Sequence, residues 1–320
     1  MKYIYYPGCS LERNAGAYHD STMAIAKPLD MDFQEVDDWN CCGAVEFIAV
    51  DKMQAYALTA RNLALAEQQL SNGENMVAPC SACFLNLSKC DAYLAASSNL
   101  ANKVNQALAA GGMHYTPGKV HTRHLLDVIV NDVGYDTVAQ KVTKPLYGLR
   151  VAPYYGCLIV RPGFLDKFDD PEYPTSLDKL TRSLGATVVD FPMKAHCCGG
   201  HMTQISDEIA LNMINHLLKN AADYEADVIV TICPMCQLNL DAYQKDVNRA
   251  LGTNYNIPIL YFTQLIGLAM GLSAHELGFG KEIVDAAPAL AKINVEPPKK
   301  PKKQRPSKQE LPMPIMPEEE

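Results

Sequence analysis

The chain has 320 residues, enough for one large domain or two ordinary ones, and a hydrophobic content of 48% that can fill a core. Its formal net charge of −8 argues against a nucleic-acid partner, because phosphate binding requires a concentrated basic surface. The N-terminus lacks the pattern of an export signal, and the apolar stretch 257–272 is shorter than the roughly 20 residues that cross a bilayer. We therefore expect a cytoplasmic protein that reaches a membrane only through a partner.

Short apolar runs alternate with helical patterns along the chain, which predicts an α/β fold with mostly parallel sheets. Strands are predicted at residues 2–6, 34–36, 76–78, 150–155, 186–191 and 226–232. Helices are predicted over residues 51–70 and 206–222. Each group of cysteines follows a predicted strand, the position at which α/β folds place their ligand sites.

Ten of the eleven cysteines form two sets with the same internal order, about 150 residues apart. Each set has a single cysteine, an adjacent pair followed by glycine, and a Cys-x-x-Cys motif. The first set is Cys9, Cys41, Cys42, Cys80 and Cys83, and the second is Cys157, Cys197, Cys198, Cys233 and Cys236. The flanking sequence repeats as well: APCSACFLNL matches TICPMCQLNL, and VHTRHLLDVIV resembles LYFTQLIGLAM. The chain is therefore predicted to contain a duplicated unit.

We divide the chain into two halves, residues 1–145 and 146–295, and expect them to face each other about a pseudo-twofold axis. The segment 296–320 is rich in proline and lysine and ends in three glutamates, so it is predicted to be a disordered tail. The alternative for this tail is a docking strip for a partner subunit.

Cytoplasmic cysteines are kept reduced, so this many thiols indicate metal binding or catalysis rather than structural disulfides. A Cys-x-x-Cys motif alone is ambiguous, because thioredoxin-like enzymes, zinc sites and iron–sulfur sites all use it. Adjacent cysteines suit a cluster of several metals, and Gly43 and Gly199 would let the backbone approach a bulky inorganic core. Five cysteines per set exceed the four ligands of zinc or a cubane cluster. Either the cluster is not a cubane, or one cysteine in each set is free for substrate.

The order Cys, Cys-Cys-Gly, Cys-x-x-Cys, present twice, resembles the CCG-domain family, and residues 1–285 resemble the B subunit of heterodisulfide reductase and its relatives. One spacing departs from the repeat: 37 residues separate Cys42 from Cys80, against 34 between Cys198 and Cys233. A longer loop or an extra turn in the first half would accommodate the difference.

The resemblance implies a noncubane [4Fe-4S] cluster on each five-cysteine set and cleavage, or formation, of a disulfide between the two clusters. The substrate would be the heterodisulfide of coenzyme M and coenzyme B, or a sulfur-carrier thiol on a lipoate-binding protein. The chain has no dinucleotide motif and no ferredoxin-type cysteine run, so a partner must supply electrons. By resemblance, the partners are the ferredoxin-like C subunit and the flavin-containing A subunit of the same complex.

Three other functions compete with disulfide chemistry. The chain could be the electron-transfer subunit of a lactate, glycolate or succinate dehydrogenase, whose iron–sulfur subunits share the CCG repeat. It could be a zinc-stabilised interaction module, or a protein with reactive dithiols and no metal.

Among other residues, His196 and His201 flank a cysteine pair and are candidates for donating a hydrogen bond to a cluster sulfur or a proton to a thiolate. A structural or exposed role is the alternative for both. Cys90 has no counterpart in the second half and is predicted to be a buried helix residue. His121 and His124 lie three residues apart on a predicted helix, and a metal-binding role for them is disfavoured. The tyrosines that precede the first cysteine of each half are expected to pack in the core: Tyr5, Tyr6, Tyr154 and Tyr155.

Overall fold

The structure is a computed structural model that describes residues 1–71, 73–163 and 168–295. The predicted tail, 296–320, lies outside the described residues. In the described part, no helix is long and apolar enough to cross a membrane.

The first half contains four strands and seven α-helices among its described residues. In chain order they are β1 (Lys2–Tyr5), α1 (Gly16–Ala26), β2 (Asp32–Glu35), α2 (Ala44–Val50), α3 (Lys52–Gln69), β3 (Met76–Ala78), α4 (Ser81–Ala96), α5 (Ser98–Ala109), β4 (Thr122–His124), α6 (Leu125–Val128) and α7 (Tyr135–Gln140). A 3-10 helix (Lys27–Leu29) follows α1, and a π-helix (Ile129–Gly134) joins α6 to α7.

The second half repeats this succession of strands and helices. Its elements are β5 (Arg150–Tyr154), α8 (Ser176–Ser183), β6 (Thr187–Val188), a 3-10 helix (Gly200–Gln204), α9 (Asp207–Asp223), β7 (Val228–Thr231), α10 (Pro234–Ala242), α11 (Gln244–Leu251), β8 (Ile259–Tyr261), α12 (Phe262–Ala269) and α13 (Ala287–Leu290).

Two four-stranded parallel sheets organise the two halves. Their strand orders, β2-β1-β3-β4 and β6-β5-β7-β8, are equivalent. All six strand pairings are parallel, so the carboxyl ends of the strands in each sheet lie at one edge. The predicted α/β class with two duplicated halves is thus confirmed. The join at residue 145 stays a prediction.

Local sequence explains the best-predicted elements. The long helix α3 begins where the Asp51 side chain accepts a hydrogen bond from the backbone N–H of Gln54, 2.9 Å away, which caps the helix. Strand β7 is a run of β-branched residues, all buried, as expected for a central parallel strand. Strand β6 is shorter than predicted, because only two residues pair with β5.

The prediction of a helix through His121 and His124 is wrong. Thr122–His124 forms strand β4, which pairs in parallel with Met76–Ala78 of β3. The helix begins only after His124, whose Nδ1 accepts a hydrogen bond from the backbone N–H of Leu126 at 3.1 Å and so caps α6. Pairing with β3 thus overrides the helical pattern of this segment.

The two halves share a buried interface. Helix α1 packs against α12, and the hydroxyl groups of Ser21 and Thr263 lie 2.7 Å apart between them. The rings of Tyr18 and Tyr261 stack with centroids 4.4 Å apart and an interplanar angle of 9°. Tyrosines 5, 6, 154 and 155 are fully buried, as predicted. This interface holds the strand ends of both sheets next to each other.

Candidate metal centre

The ten repeated cysteines form one continuous series of thiol contacts. Sγ of Cys9 lies 3.4 Å from Sγ of Cys41, and the same distance separates Sγ of Cys42 from Sγ of Cys83. The remaining neighbours lie close enough for the thiol of one to shift the pKa of the next. The series runs Cys9, Cys41, Cys42, Cys83, Cys80, Cys233, Cys236, Cys198, Cys197 and Cys157. Counted from either end, the series passes through equivalent cysteines of the two sets in the same order. Two halves related by a pseudo-twofold axis would produce this arrangement.

The two sets meet at Cys80 and Cys233, whose thiols lie close enough for each to shift the pKa of the other. Each residue directly precedes a helix, α4 or α10, at the carboxyl end of a central strand. The Tyr18 hydroxyl lies between the two chain segments, 3.1 Å from the carbonyl oxygen of Pro79 and 3.3 Å from that of Ile232. One buried tyrosine therefore contacts the residues that precede both cysteines.

A glycine directly before the first cysteine of each set leaves room for the sulfur atom of the last cysteine of that set. Gly8 and Gly156 have φ of +75° and +69°. A Cβ atom would lie 2.8 Å from Sγ of Cys83 at Gly8, and 3.0 Å from Sγ of Cys236 at Gly156. Both positions therefore require glycine for conformation and for space.

The glycine after each cysteine pair allows a tight turn, as expected. Gly43 and Gly199 have φ of +78° and +93° and directly precede α2 and a 3-10 helix. Backbone N–H groups at these helix starts face the sulfur atoms, and that of Gly200 donates to Sγ of Cys198 over 3.4 Å. Helix α2 has seven residues against five in its 3-10 counterpart, and six residues connect α3 to β3 against four between α9 and β7, so the extra length of the first half is spread over several elements.

Hydrogen bonding perturbs the acidity of the adjacent cysteines in the same way in both sets. The pKa of Cys41 is lowered to about 2 by the neighbouring thiols of Cys42 and Cys9, which stabilise its thiolate. The pKa of Cys197 is likewise lowered to about 2, by Cys157 and Cys198. Each set thus stabilises a thiolate, the form of cysteine that binds metals.

No three His, Cys, Asp or Glu side chains within residues 1–71, 73–163 and 168–295 converge as they would around a single metal ion. The ten thiols instead form an extended series of contacts.

Sequence reasoning missed a pair of asparagines, one in each set. Nδ2 of Asn86 donates to the carbonyl oxygen of Cys42, and Nδ2 of Asn239 to that of Cys198, both over 3.3 Å. The same amide groups lie 4.0 Å and 3.7 Å from the corresponding sulfur atoms. The sequence does contain a signal for this pair, because both asparagines belong to the Asn-Leu dipeptide that is repeated after each Cys-x-x-Cys motif.

The two sets differ in their surroundings. All five cysteines of the second set line a cavity of about 290 Å³, together with Ser81 and Ala82 of the first half. Cys9 and Cys41 of the first set lie instead in an open depression of about 490 Å³. Its charged lining is Glu12, Arg13, Glu35, Asp37 and Asp38.

The other candidate residues lie in different places. His201 lines the second-set cavity. His196 is exposed, and its backbone carbonyl oxygen accepts a hydrogen bond from the Tyr154 hydroxyl at 2.7 Å. Cys90 is buried in α4, as predicted, and its sulfur lies 3.7 Å from the Tyr56 carbonyl oxygen, outside the series of thiols.

A buried ion pair supports the second set. Nζ of Lys194 lies 2.7 Å from Oδ1 of Asp178, and the Tyr155 hydroxyl donates to Oδ2 of the same carboxylate over 2.7 Å. The Lys194 carbonyl oxygen also accepts the N–H groups of Tyr155 and Gly156. The network therefore links the segments that carry Cys157 and Cys197.

Two equivalent parallel sheets, each with five cysteines near its carboxyl edge, define a duplicated cysteine-rich α/β protein. The model of the CCG family, described as a cysteine-rich domain, matches residues 3–88 and 151–241. The chain therefore belongs to the CCG cysteine-rich domain family.

Relatives align with almost the full chain. It is 36% identical, over 285 residues, to the 8-methylmenaquinol:fumarate reductase membrane anchor subunit of Wolinella succinogenes, covering 89% of this chain and 98% of that protein. It is 31% identical to the B subunit of the ferredoxin:CoB-CoM heterodisulfide reductase of Methanosarcina mazei, covering 89% and 95%. A similar protein of Methanosarcina acetivorans, the B subunit of a ferredoxin/F(420)H(2)-dependent CoB-CoM heterodisulfide reductase, is 30% identical and covers 90% and 95%. The chain is thus similar to subunits of oxidoreductase complexes.

A solved structure shares the fold. The crystal structure of a hypothetical protein from Helicobacter pylori superposes with a TM-score of 0.70 at 14% identity. The match covers 89% of this chain but 52% of the other, so this chain spans about half of that protein.

Proposed function

We propose that the chain is the iron–sulfur redox subunit of a multisubunit oxidoreductase, with one noncubane [4Fe-4S] cluster on each five-cysteine set. The observation that carries this proposal is the continuous series of ten thiols with Cys80 and Cys233 at its centre. Two centres in such close contact are suited to a two-electron reaction, because each centre handles one electron.

The residues present fit such clusters. Thiolates are the ligands that iron–sulfur clusters use, and Cys41 and Cys197 are held in this form by neighbouring thiols. Gly8 and Gly156 keep the space beside the sulfur atoms clear, and backbone N–H groups such as that of Gly200 are available to the sulfurs. When bound, the clusters would supply electron transfer. The chain itself would hold them.

Cleavage or formation of a disulfide is the first candidate reaction. It is supported by relatives named as the B subunit of heterodisulfide reductase, which align with about nine tenths of the chain. Cleavage breaks one S–S bond and consumes two electrons and two protons, giving two thiols. The electrons would come from the ferredoxin-like C subunit and the flavin-containing A subunit of the complex. We assign the complex to the cytoplasm, with any membrane contact made by a partner.

Electron transfer in a fumarate reductase or succinate dehydrogenase complex is the second candidate. The observation that favours it is the 36% identity to a subunit of 8-methylmenaquinol:fumarate reductase. In this case the clusters would pass electrons between a quinol and a partner subunit that binds the dicarboxylate. The chain would then conduct electrons without acting on a disulfide.

Anaerobic purification of the complex tests the proposal. The expected result is a brown protein with about eight iron atoms per chain, as two four-iron clusters require. Reduction of disulfides by the complex, compared with quinol-dependent fumarate reduction, then distinguishes the two reactions. A colourless protein with zinc and without iron would refute the proposal in favour of an interaction module.

A further inference from the structure

One buried tyrosine bridges the two halves at the point where the cysteine sets meet. Tyr18 lies on helix α1 of the first half, and its side chain is fully buried. Its hydroxyl lies 3.1 Å from the carbonyl oxygen of Pro79 and 3.3 Å from that of Ile232. Pro79 directly precedes Cys80, and Ile232 directly precedes Cys233. The single hydrogen of this hydroxyl is therefore available to both of the segments that carry the central cysteines.

The bridge lies at the pseudo-twofold axis that relates the halves. Pro79 and Ile232 occupy the same position of the repeat, directly before each Cys-x-x-Cys motif. The midpoint between two equivalent atoms lies on the axis that relates them. The Tyr18 hydroxyl is no more than 3.3 Å from this midpoint, because it lies within that distance of both carbonyl oxygens. One side chain can therefore act on both sets at once.

The second half holds the tyrosine in place. The ring of Tyr261, the residue directly before α12, stacks on the ring of Tyr18 with centroids 4.4 Å apart, and the ring of Phe262 meets it edge-on at 6.1 Å. One turn further along α1, the hydroxyl groups of Ser21 and Thr263 lie 2.7 Å apart. Both halves therefore hold Tyr18, and its hydroxyl is a fixed link between them.

The link is a permanent donor, and a second side chain lies beside the same carbonyl groups. Burial raises the pKa of Tyr18 well above its ordinary value, so the hydroxyl keeps its hydrogen at neutral pH. The carbonyl groups of Ile232 and Pro79 also lie close enough to His124 to act on its pKa, which burial lowers to about 4. The His124 ring would remain beside both segments without the Tyr18 hydroxyl. Removing that hydroxyl should therefore loosen the junction without separating the halves.

We propose that Tyr18 is a positioning residue that sets the separation of the two metal centres and, through it, the strength of their coupling. This inference rests on the proposed function and assigns the coupling of its two centres to one side chain. The interaction energy of two charges falls with their separation, so an electron added to one centre shifts the potential of the other by an amount that depends on this distance. A hydroxyl that holds the residues before Cys80 and Cys233 at a fixed spacing fixes that distance.

The test uses the anaerobically purified complex and two conservative substitutions. Tyr18→Phe removes the hydroxyl and keeps the stacked ring. Tyr5→Phe is the matched control, because Tyr5 is also fully buried in the first half and its hydroxyl has no hydrogen-bond partner within residues 1–71, 73–163 and 168–295. Both variants should retain about eight iron atoms per chain, since neither changes a cysteine.

Two measurements report the coupling directly. Paramagnetic resonance of the complex with both clusters reduced shows it as a splitting of the lines, because two nearby paramagnetic centres act on each other. This splitting should become narrower in Tyr18→Phe and stay unchanged in Tyr5→Phe. A redox titration should show a smaller gap between the two midpoint potentials in Tyr18→Phe alone. A tyrosine that only packs in the core would change the unfolding midpoint without moving either quantity.

Hydrogen exchange adds a measurement that needs neither turnover nor a metal signal. Backbone amides of residues 228–236 should exchange faster in Tyr18→Phe than in Tyr5→Phe, because the lost hydroxyl belongs to the first half but contacts Ile232 of the second. Three results would each overturn the inference: an unchanged splitting and potential gap in Tyr18→Phe, equal changes in both variants, or equal exchange of this segment in both. A preparation without iron would instead refute the proposed function.

Discussion

The thiols of Cys80 and Cys233 lie close enough for each to shift the pKa of the other, and they are where the two five-cysteine sets meet. Both residues are buried, at the ends of β3 and β7, where α4 and α10 begin. Since each is equivalent to the other in the repeat, duplication of one unit is sufficient to generate the contact. The pair makes the two sets one continuous site rather than two separate ones.

Replacing a cysteine of one set should affect that set alone. Cys198→Ala is expected to remove roughly half of the iron and to abolish turnover, because the Cys198 thiol lies beside those of Cys197 and Cys236 in its set. Iron analysis and resonance spectroscopy of the anaerobic protein measure the loss. Cys90→Ala, in the buried thiol outside the series, should retain all the iron. Full iron in the Cys198 variant would contradict the assignment.

Gly156→Ala should disturb the second set through space as well as backbone strain. A positive φ costs an alanine about 1 kcal/mol, and the new Cβ would also lie 3.0 Å from Sγ of Cys236. We expect reduced stability in urea unfolding and loss of about half of the iron. The control is Gly252→Ala, since Gly252 has a similar φ of +66° and its added Cβ would contact nothing within 4 Å. Equal iron contents in the two variants would show that the close approach is unimportant.

Removing one partner of the buried ion pair should strongly destabilise the protein. In Asp178→Ala, Lys194 would remain 1% exposed without its carboxylate, at a cost of about 3–5 kcal/mol in the free energy of unfolding. Denaturant titration measures the change. Asp223→Ala, which breaks the exposed pair with Lys219, should barely move the unfolding midpoint. A double variant, Asp178→Leu with Lys194→Met, should recover much of the lost stability, and failure to do so would point to the lost Tyr155 contact instead.

The asparagines should each support only their own set. Asn239→Leu removes the donor to the Cys198 carbonyl and sulfur, and Asn86→Leu does the same for Cys42. Loss of such supporting contacts typically lowers metal affinity about 10- to 100-fold. A chelator should therefore release iron faster from the second cluster in the first variant, and from the first cluster in the second. Each variant serves as control for the other, and the idea fails if both clusters are released equally in both.

Local sequence was sufficient for the elements that depend on local chemistry. The alternation of apolar runs and helical patterns predicted β1, α3, β3, α9 and β7, because capping residues and β-branched runs act over a few positions. The same reasoning failed at His124, where pairing with β3 rather than local pattern decides the conformation.

The repeated cysteines, glycines and Asn-Leu pairs can be read from the sequence, so the duplication and the thiol-rich character of the site could be deduced without coordinates. Tertiary structure alone decided that Cys80 meets Cys233, that Tyr18 contacts both Pro79 and Ile232, and that the second set faces an apolar cavity while the first faces carboxylates. The reason is that composition and spacing determine which atoms are available to a site. Packing of segments far apart in the chain determines which of those atoms touch, and what surrounds them.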